Sequence, residues 1–368
     1  MATSTATLRP ERPLELGIAV KVIGVDGLKS HDTRRHKNDP HLKVSLEYLD
    51  KILDYLDEQD IRFYRMSSDL APYATHPDMP RFHSMVRDSD AELAAIGKKA
   101  RALSIRLTFH PSQYVLINTP DENVLQKSFN DLASQAEMLD RMGMDGNGVL
   151  VTHVGGVYGD REAAKERWVR NYDRVPEHAR RRLVLENDDL RFGADDVLWI
   201  HERTGVRLIF DYHHHWCFNP TGLPMVDAFE RFLASWPKDQ KPKMHFSSPR
   251  TEMRTVKRKD RETGKQKECL QPPVWTGHSD YINPFQFIRF ARDVRHLAEH
   301  TPFDVMLECK SKDLALLRLR EDMKRYGDDV LDLFGILPDT PDDVPEGICT
   351  VDANGEPGTS CVSTRQAA

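Results

Sequence analysis

The chain has 368 residues, 39% of them hydrophobic and 30% charged, with a formal net charge of -6 at pH 7. This balance describes a globular protein with ample core material; it argues against a uniformly basic nucleic-acid coat but leaves room for a local basic cleft. Five cysteines without CxxC spacing (Cys217, Cys269, Cys309, Cys349, Cys361) exclude a disulfide scaffold and suit a reducing compartment. No apolar run reaches the roughly eighteen residues of a membrane helix, and residues 1–13 lack a secretory apolar segment, so a cytoplasmic protein is expected.

Residues 1–13, rich in Ser, Thr and Pro, read as a disordered leader, and residues 16–23 as the first strand. Apolar residues at Leu42, Leu46, Leu49, Ile52 and Leu56 have helical spacing. The alternation then repeats. Strand 61–66 precedes a polar loop and a helix over 91–103. Strand 105–109 ends at His110 and is followed by a helix over 124–142. Strand 148–152 ends at His153, before an Arg- and Glu-rich helix over 161–181. Strand 182–185 ends at Glu186, before a shorter helix near 195–203. The apolar run Leu208-Ile-Phe210 turns polar at Asp211 and the three histidines His213, His214 and His215, which by themselves read as a partly solvated run. A helix near 225–235 precedes strand 243–246, which contains His245; strand 304–307 ends at Glu308.

Eight strand-like runs alternating with helices indicate a parallel sheet, and eight strands close a (β/α)8 TIM barrel over residues 14–330. An open doubly wound sheet is the runner-up. The chain has neither a Gly-rich dinucleotide fingerprint nor a phosphate loop, so no nucleotide cofactor is expected. Between the seventh and eighth strands lies a long connection. Its 250–267 part carries Arg250, Arg254, Lys257, Arg258, Lys259, Arg261, Lys265 and Lys267 against Glu252, Asp260 and Glu262. A loop of this length is either functional or a solvated charged excursion. Residues 338–368 read as a flexible tail.

His110, His153, Glu186, Asp211 with His214, His245 and Glu308 stand at or near strand ends, and His278 lies on the late loop. A single such residue is ordinarily structural. The recurrence of one donor type at the same register points to a metal pocket at the barrel's carboxyl face. Imidazoles and carboxylates without Cys suit zinc, manganese or cobalt rather than a structural thiolate site. So many donors exceed the needs of one ion, so two or three divalent ions are expected, with Glu186 bridging. Ions about 4 Å apart stabilise the attacking and leaving oxygens of in-line displacement at phosphorus, which makes phosphodiester hydrolysis the natural reaction class.

Taken in order, Tyr64-Arg-Met-Ser-Ser-Asp69 with His76, Thr108-Phe-His-Pro-Ser-Gln-Tyr114, His153-Val-Gly-Gly156, Leu185-Glu-Asn-Asp188, Asp211-Tyr-His-His214, Lys243-Met-His245 and Leu307-Glu308 carry a resemblance. The chain resembles the UV damage endonuclease family, related to endonuclease IV, over roughly residues 14–320. The resemblance implies a nick immediately 5′ to a UV photoproduct in double-stranded DNA, leaving a 3′ hydroxyl, with manganese the first choice of ion. It implies one ion on His110, His153 and Glu186, a second on Glu186, Asp211, His245 and Glu308, and a third on His214 and His278. It further implies catalytic roles for Glu186, Lys243 (a lysine carboxylated in the family) and His76. Gln113 and Tyr114 correspond to the pair that probes the duplex behind flipped bases, and extrusion of the lesion is required if its phosphate is to reach metals inside a barrel. The chain departs from the family near the first strand, where Ile18 and Val22 stand in the approximate places of a Tyr and an Asn.

Competing expectations are an abasic-site endonuclease of the endonuclease IV type, a single-metal sugar isomerase or epimerase using Glu186, Asp211, His245 and Glu308, and a non-catalytic binder of damaged DNA. The surplus of imidazoles weighs against the isomerase. A monomer without membrane contact is the default.

Overall fold

A computed structural model describes residues 12–260 and 262–338. The flexible-tail expectation and most of the leader expectation fall outside these residues. Arg12, at the end of the leader, is tied down by an ion pair of 2.5 Å to Asp60.

The first half runs β1 (Leu14–Ala19), α1 (Leu42–Glu58), β2 (Phe63–Met66), α2 (Asp90–Ala102), β3 (Arg106–Phe109), α3 (Glu122–Arg141), β4 (Leu150–His153), α4 (Arg161–Tyr172), α5 (Glu177–Arg180) and β5 (Leu183–Glu186). The second half continues with α6 (Ala194–Thr204), β6 (Arg207–Ile209), α7 (Tyr212–Cys217), α8 (Met225–Ala234), β7 (Lys243–Phe246), β8 (Pro249–Arg250), β9 (Arg254–Lys259), β10 (Gln266–Gln271), β11 (Val274–His278), α9 (Pro284–His300), β12 (Phe303–Leu307) and α10 (Lys312–Tyr326). Eight strands form one sheet in the order β6-β5-β4-β3-β2-β1-β12-β7, and its strand pairs are parallel. An isolated parallel bridge between Asp211 and His245 joins β6 to β7. The expected TIM barrel is therefore present, and the seam that closes it lies between two of the expected metal ligands.

Strand alternation explains how the site is aimed. Successive side chains on a strand point to opposite faces. Leu183 and Leu185 join the large apolar layer under the helices, while Val184 belongs to a separate internal cluster with Val149, Val151, Ile209 and Trp236. Glu186, two residues after Val184, therefore points inside. The same parity carries Arg65 on β2 inward with Phe63, and His153 inward with Val151. Phe63 packs with Ala19 and Met306 as a floor beneath the site. Gly17 makes room for it: a Cβ there would lie 2.6 Å from the Phe63 ring.

Several expectations need correction. β1 begins and ends earlier than residues 16–23, because at Val20 (φ 67) the chain turns out of the sheet. The single helix expected over 161–181 is two, broken before Pro176, whose ring is incompatible with a continuing helix. The histidine run is buried rather than partly solvated: His213, His214 and His215 are 3%, 8% and 2% exposed within α7. The long basic connection is an antiparallel ribbon, β9 with β10, rooted on the short β8–β11 pair. Ile18 is fully buried and outward-facing in the helix-covered layer, and Val22 is buried with it, so neither side chain faces the cleft.

Candidate metal centre

The centre is built around Glu186. Its Oε2 lies 3.3 Å from His110 Nε2 and 3.7 Å from His153 Nε2. Its Oε1 lies 2.9 Å from His245 Nδ1 and 3.4 Å from His214 Nδ1. Asp211 Oδ2 is 3.7 Å from His214 Nδ1 and 4.0 Å from His245 Nδ1, and Glu308 Oε1 is 3.3 Å from the same His245 nitrogen. Three overlapping groups have donor atoms close enough to hold a cation: His110, His153 and Glu186; Glu186, Asp211 and His214; and Asp211, His245 and Glu308. His278 stands at the edge, with Nε2 3.9 Å from Glu308 Oε2.

Local structure orients each donor. Asp211 caps α7, its Oδ1 accepting from His214 N–H at 2.7 Å, which leaves Oδ2 turned to the pocket. The Asn187 side-chain amide clips the Asp211 backbone from both sides: Nδ2 donates to Asp211 O at 3.0 Å, and Oδ1 accepts from Asp211 N–H at 2.9 Å. His110 Nδ1 donates to Pro111 O at 3.1 Å, and His214 Nδ1 to Asn187 O at 3.0 Å. A carbonyl oxygen only accepts, so Nδ1 carries a proton in both rings; burial opposes charge on His214, but the Asp211 and Glu186 carboxylates hold it well above the usual imidazole range.

The electrostatics favour a cation. Burial by itself would raise Glu186, but the His245 and His153 imidazoles hold it well below the usual carboxylate range. Burial drives Asp211 well above that range; His214 opposes this, and the charges of Glu186 and Glu308 reinforce it. Burial holds His245 down at about 4, so it is a neutral donor. Glu186 Oε2, Asp211 Oδ2 and His245 Nε2 are buried without a hydrogen bond. Such orphaned atoms are costly unless something fills their bonding capacity, and a divalent cation would do so for carboxylate oxygens and unprotonated nitrogens together. By contrast, the cavity of about 810 Å³ at the opposite end of the barrel is laced with ion pairs, including Arg106–Asp304 and Lys241–Asp304, each at 2.7 Å.

Lys243 is 1% exposed, and its Nζ makes no hydrogen bond. Burial, then the neighbouring charges of Arg106 and Arg65, push it well below the usual amine range. Gln113, on the loop after β3, lines a cleft of about 790 Å³ together with His110, His153, His214 and His278; the next residue, Tyr114, is not part of that lining and is 75% exposed. His76 is not drawn into the donor groups. Its Nδ1 accepts from Asp78 N–H at 3.2 Å, and its ring meets Tyr73 edge-on. Sequence reasoning passed over Asn187 and Arg65, which ion-pairs with Glu308. Both stand inside motifs already singled out, and only their contacts reveal what they do.

Fold and donor set together define a TIM-barrel protein with a buried His/carboxylate pocket, suited to cations, at the carboxyl ends of its strands. The UV-endonuclease UvdE family matches residues 20–334, and the chain belongs to that family. A Bacillus velezensis protein named UV DNA damage endonuclease is 32% identical over 283 residues, covering 76% of this chain and 81% of that protein. A Bacillus mycoides protein of the same name is 31% identical over 280 residues, covering 75% and 79%. The crystal structure of SacUVDE superposes with a TM-score of 0.68 at 29% identity, covering 85% of this chain and 98% of that one. A D-tagatose 3-epimerase-like protein, at 13% identity and a TM-score of 0.51, shares the fold alone.

Proposed function

We propose that this protein is a metal-dependent DNA repair endonuclease that hydrolyses the phosphodiester immediately 5′ to UV photoproducts in double-stranded DNA and leaves a 3′ hydroxyl. The observation that carries the reading is the Glu186 carboxylate shared among four imidazoles, in a chain of the UvdE family. The residues fit divalent ions. His110, His153 and Glu186 would hold one, and Glu186 with Asp211, His214, His245 and Glu308 the others, with His278 at the margin. Two or three ions are expected, manganese before zinc or cobalt. Bound there, they supply Lewis acidity that activates water and offsets charge on the scissile phosphate.

The chain's own groups do the rest. Arg65 holds Glu308 in place through its ion pair. Lys243, a buried amine that burial and the charges of Arg106 and Arg65 push well below the usual range, suits the role of a lysine that takes up carbon dioxide as a carbamate. Gln113 in the cleft lining and the exposed Tyr114 next to it would refill, with an amide and a ring, the stack left by extruded nucleotides. His76 would contribute only after its loop moves toward the pocket. The surplus of imidazoles has no work in a single-metal isomerase. The enzyme is proposed to act as a cytoplasmic monomer; no described helix is long and apolar enough to cross a membrane.

The test is cleavage of an end-labelled duplex carrying one thymine dimer, with manganese, beside an undamaged duplex and one with an abasic site. A single nick 5′ to the dimer, lost in Glu186→Gln, is expected. Cleavage at the abasic site alone would transfer the substrate to the endonuclease IV type. Failure of folded, metal-replete protein to cut any duplex would overturn the reading.

A further inference from the structure

The ribbon β9–β10 is not used by the chemistry above. In its antiparallel register Arg258 faces Lys267 directly, and Lys257 faces Glu268. Directly opposed residues share a face of an antiparallel pair, and like charges so placed are destabilising. Neither Arg258 nor Lys267 has a carboxylate partner among the described residues, although most buried and many exposed arginines elsewhere in the chain are paired. At the outer end of the ribbon, the Asp260 carboxylate is engaged by Glu262 N–H and by Thr263 N–H and hydroxyl, so it shapes the turn rather than neutralising the neighbouring Lys259 and Lys265. The root, in contrast, is anchored: Arg254 pairs with Asp280 at 2.6 Å. An exposed strand pair that keeps opposed cations unpaired, on an anchored root, calls for an external polyanion.

The root also fixes where that polyanion lies. β8 follows β7 directly, and Pro249 pairs with His278 on β11. The Ser247 hydroxyl bonds His278 Nδ1 at 2.5 Å. The ribbon thus leaves the barrel from the rim of the metal pocket. Six residues of strand span about 20 Å, which equals about six base pairs at 3.4 Å each.

We propose that this ribbon is a damage-independent arm that grips the phosphate backbone of duplex DNA about six base pairs from the nick, with the Arg258–Lys267 pair as its principal contact. The inference rests on DNA being the substrate. The arm would supply affinity and register without base specificity, because phosphate contacts carry no sequence or lesion information.

The test compares the parent with Arg258→Gln/Lys267→Gln by fluorescence anisotropy on undamaged and dimer-containing duplexes of about 30 base pairs over a salt series. Each lost phosphate contact lowers the slope of log K against log salt by about 0.9, so a fall of about 2 is expected. At about 0.1 M salt a loss of around tenfold in affinity should appear equally for both duplexes, leaving the preference for damage unchanged. As a readout that needs no variant, the parent should lose a similar factor on duplexes whose flank is cut below about six base pairs. An unchanged slope in a folded variant, or parent affinity indifferent to flank length, overturns the arm. If the parent neither binds nor cuts damaged duplex, the DNA reading itself has failed rather than the arm.

Discussion

Asn187→Leu should separate the scaffold of the candidate metal centre from its donor residues. The Asn187 amide satisfies both the N–H and the C=O of Asp211, at 2.9 and 3.0 Å, and both residues are fully buried. Leucine has nearly the same shape and no hydrogen-bonding group, so the variant strands the Asp211 N–H, while Asp211 O keeps the His215 N–H at 3.1 Å. An unsatisfied buried group costs about 1–3 kcal/mol, which is the loss predicted in urea unfolding of the chelator-treated protein. Asp211 would also lose the constraint that turns Oδ2 to the pocket. Removing an outer group that orients a ligand typically weakens metal binding by about 10–100-fold, which manganese titration calorimetry would read. A Leu variant that unfolds at the parent's midpoint and binds manganese as tightly would refute the reasoning that this amide holds the site together.

Other consequences can be checked independently. Glu186→Gln keeps the shape but removes the charge that four imidazoles surround; manganese at about 100 times its dissociation constant should stabilise the parent by about 2.7 kcal/mol and leave the variant unmoved in thermal unfolding. Tyr114→Ala, at a 75% exposed position, should alter stability by no more than about 0.5 kcal/mol while lowering kcat/KM on dimer-containing duplex by about tenfold, consistent with the usual worth of an aromatic stacking contact. Glu15 is raised from 4.5 to about 7 by burial, against the pull of Arg12 and Lys241. Its folded form therefore binds the proton more tightly than its unfolded form. Its contribution to stability is full below about pH 4.5 and is lost as pH rises through about 7, a span worth up to about 3 kcal/mol. Glu15→Gln should flatten that part of the stability profile, and a variant whose unfolding free energy keeps the parent's slope between pH 5 and 8 would show that the carboxyl is not held protonated.

The donor set was legible in the sequence because each barrel strand is short and ends where its apolar run stops, so a polar residue at that point falls on the carboxyl rim whatever the neighbouring strands do. His110, His153, Glu186, Asp211, His245 and Glu308 are found this way, and period-two alternation carries them inward. The strand and helix boundaries were legible to within a few residues wherever a clear breaker or cap was present, such as Asp121 before α3. The break at Pro176 was readable in principle and was overridden by the charged helical pattern around it.

Only the tertiary structure decided the rest, because the remaining features depend on contacts between residues far apart in the chain. The closing of the barrel at Asp211 and His245, the amide clip from Asn187, the Arg65–Glu308 pair and the burial of the histidine run all arise where strands meet across the sheet. Composition showed that residues 250–267 are basic, but whether those charges neutralise one another depends on which residues pair across β9 and β10. That register placed Arg258 opposite Lys267 rather than opposite an acid. Local sequence determined which chemical groups the rim would carry, because that depends on where each apolar run ends; their distances and charge states were left to the packing of eight strands around Phe63.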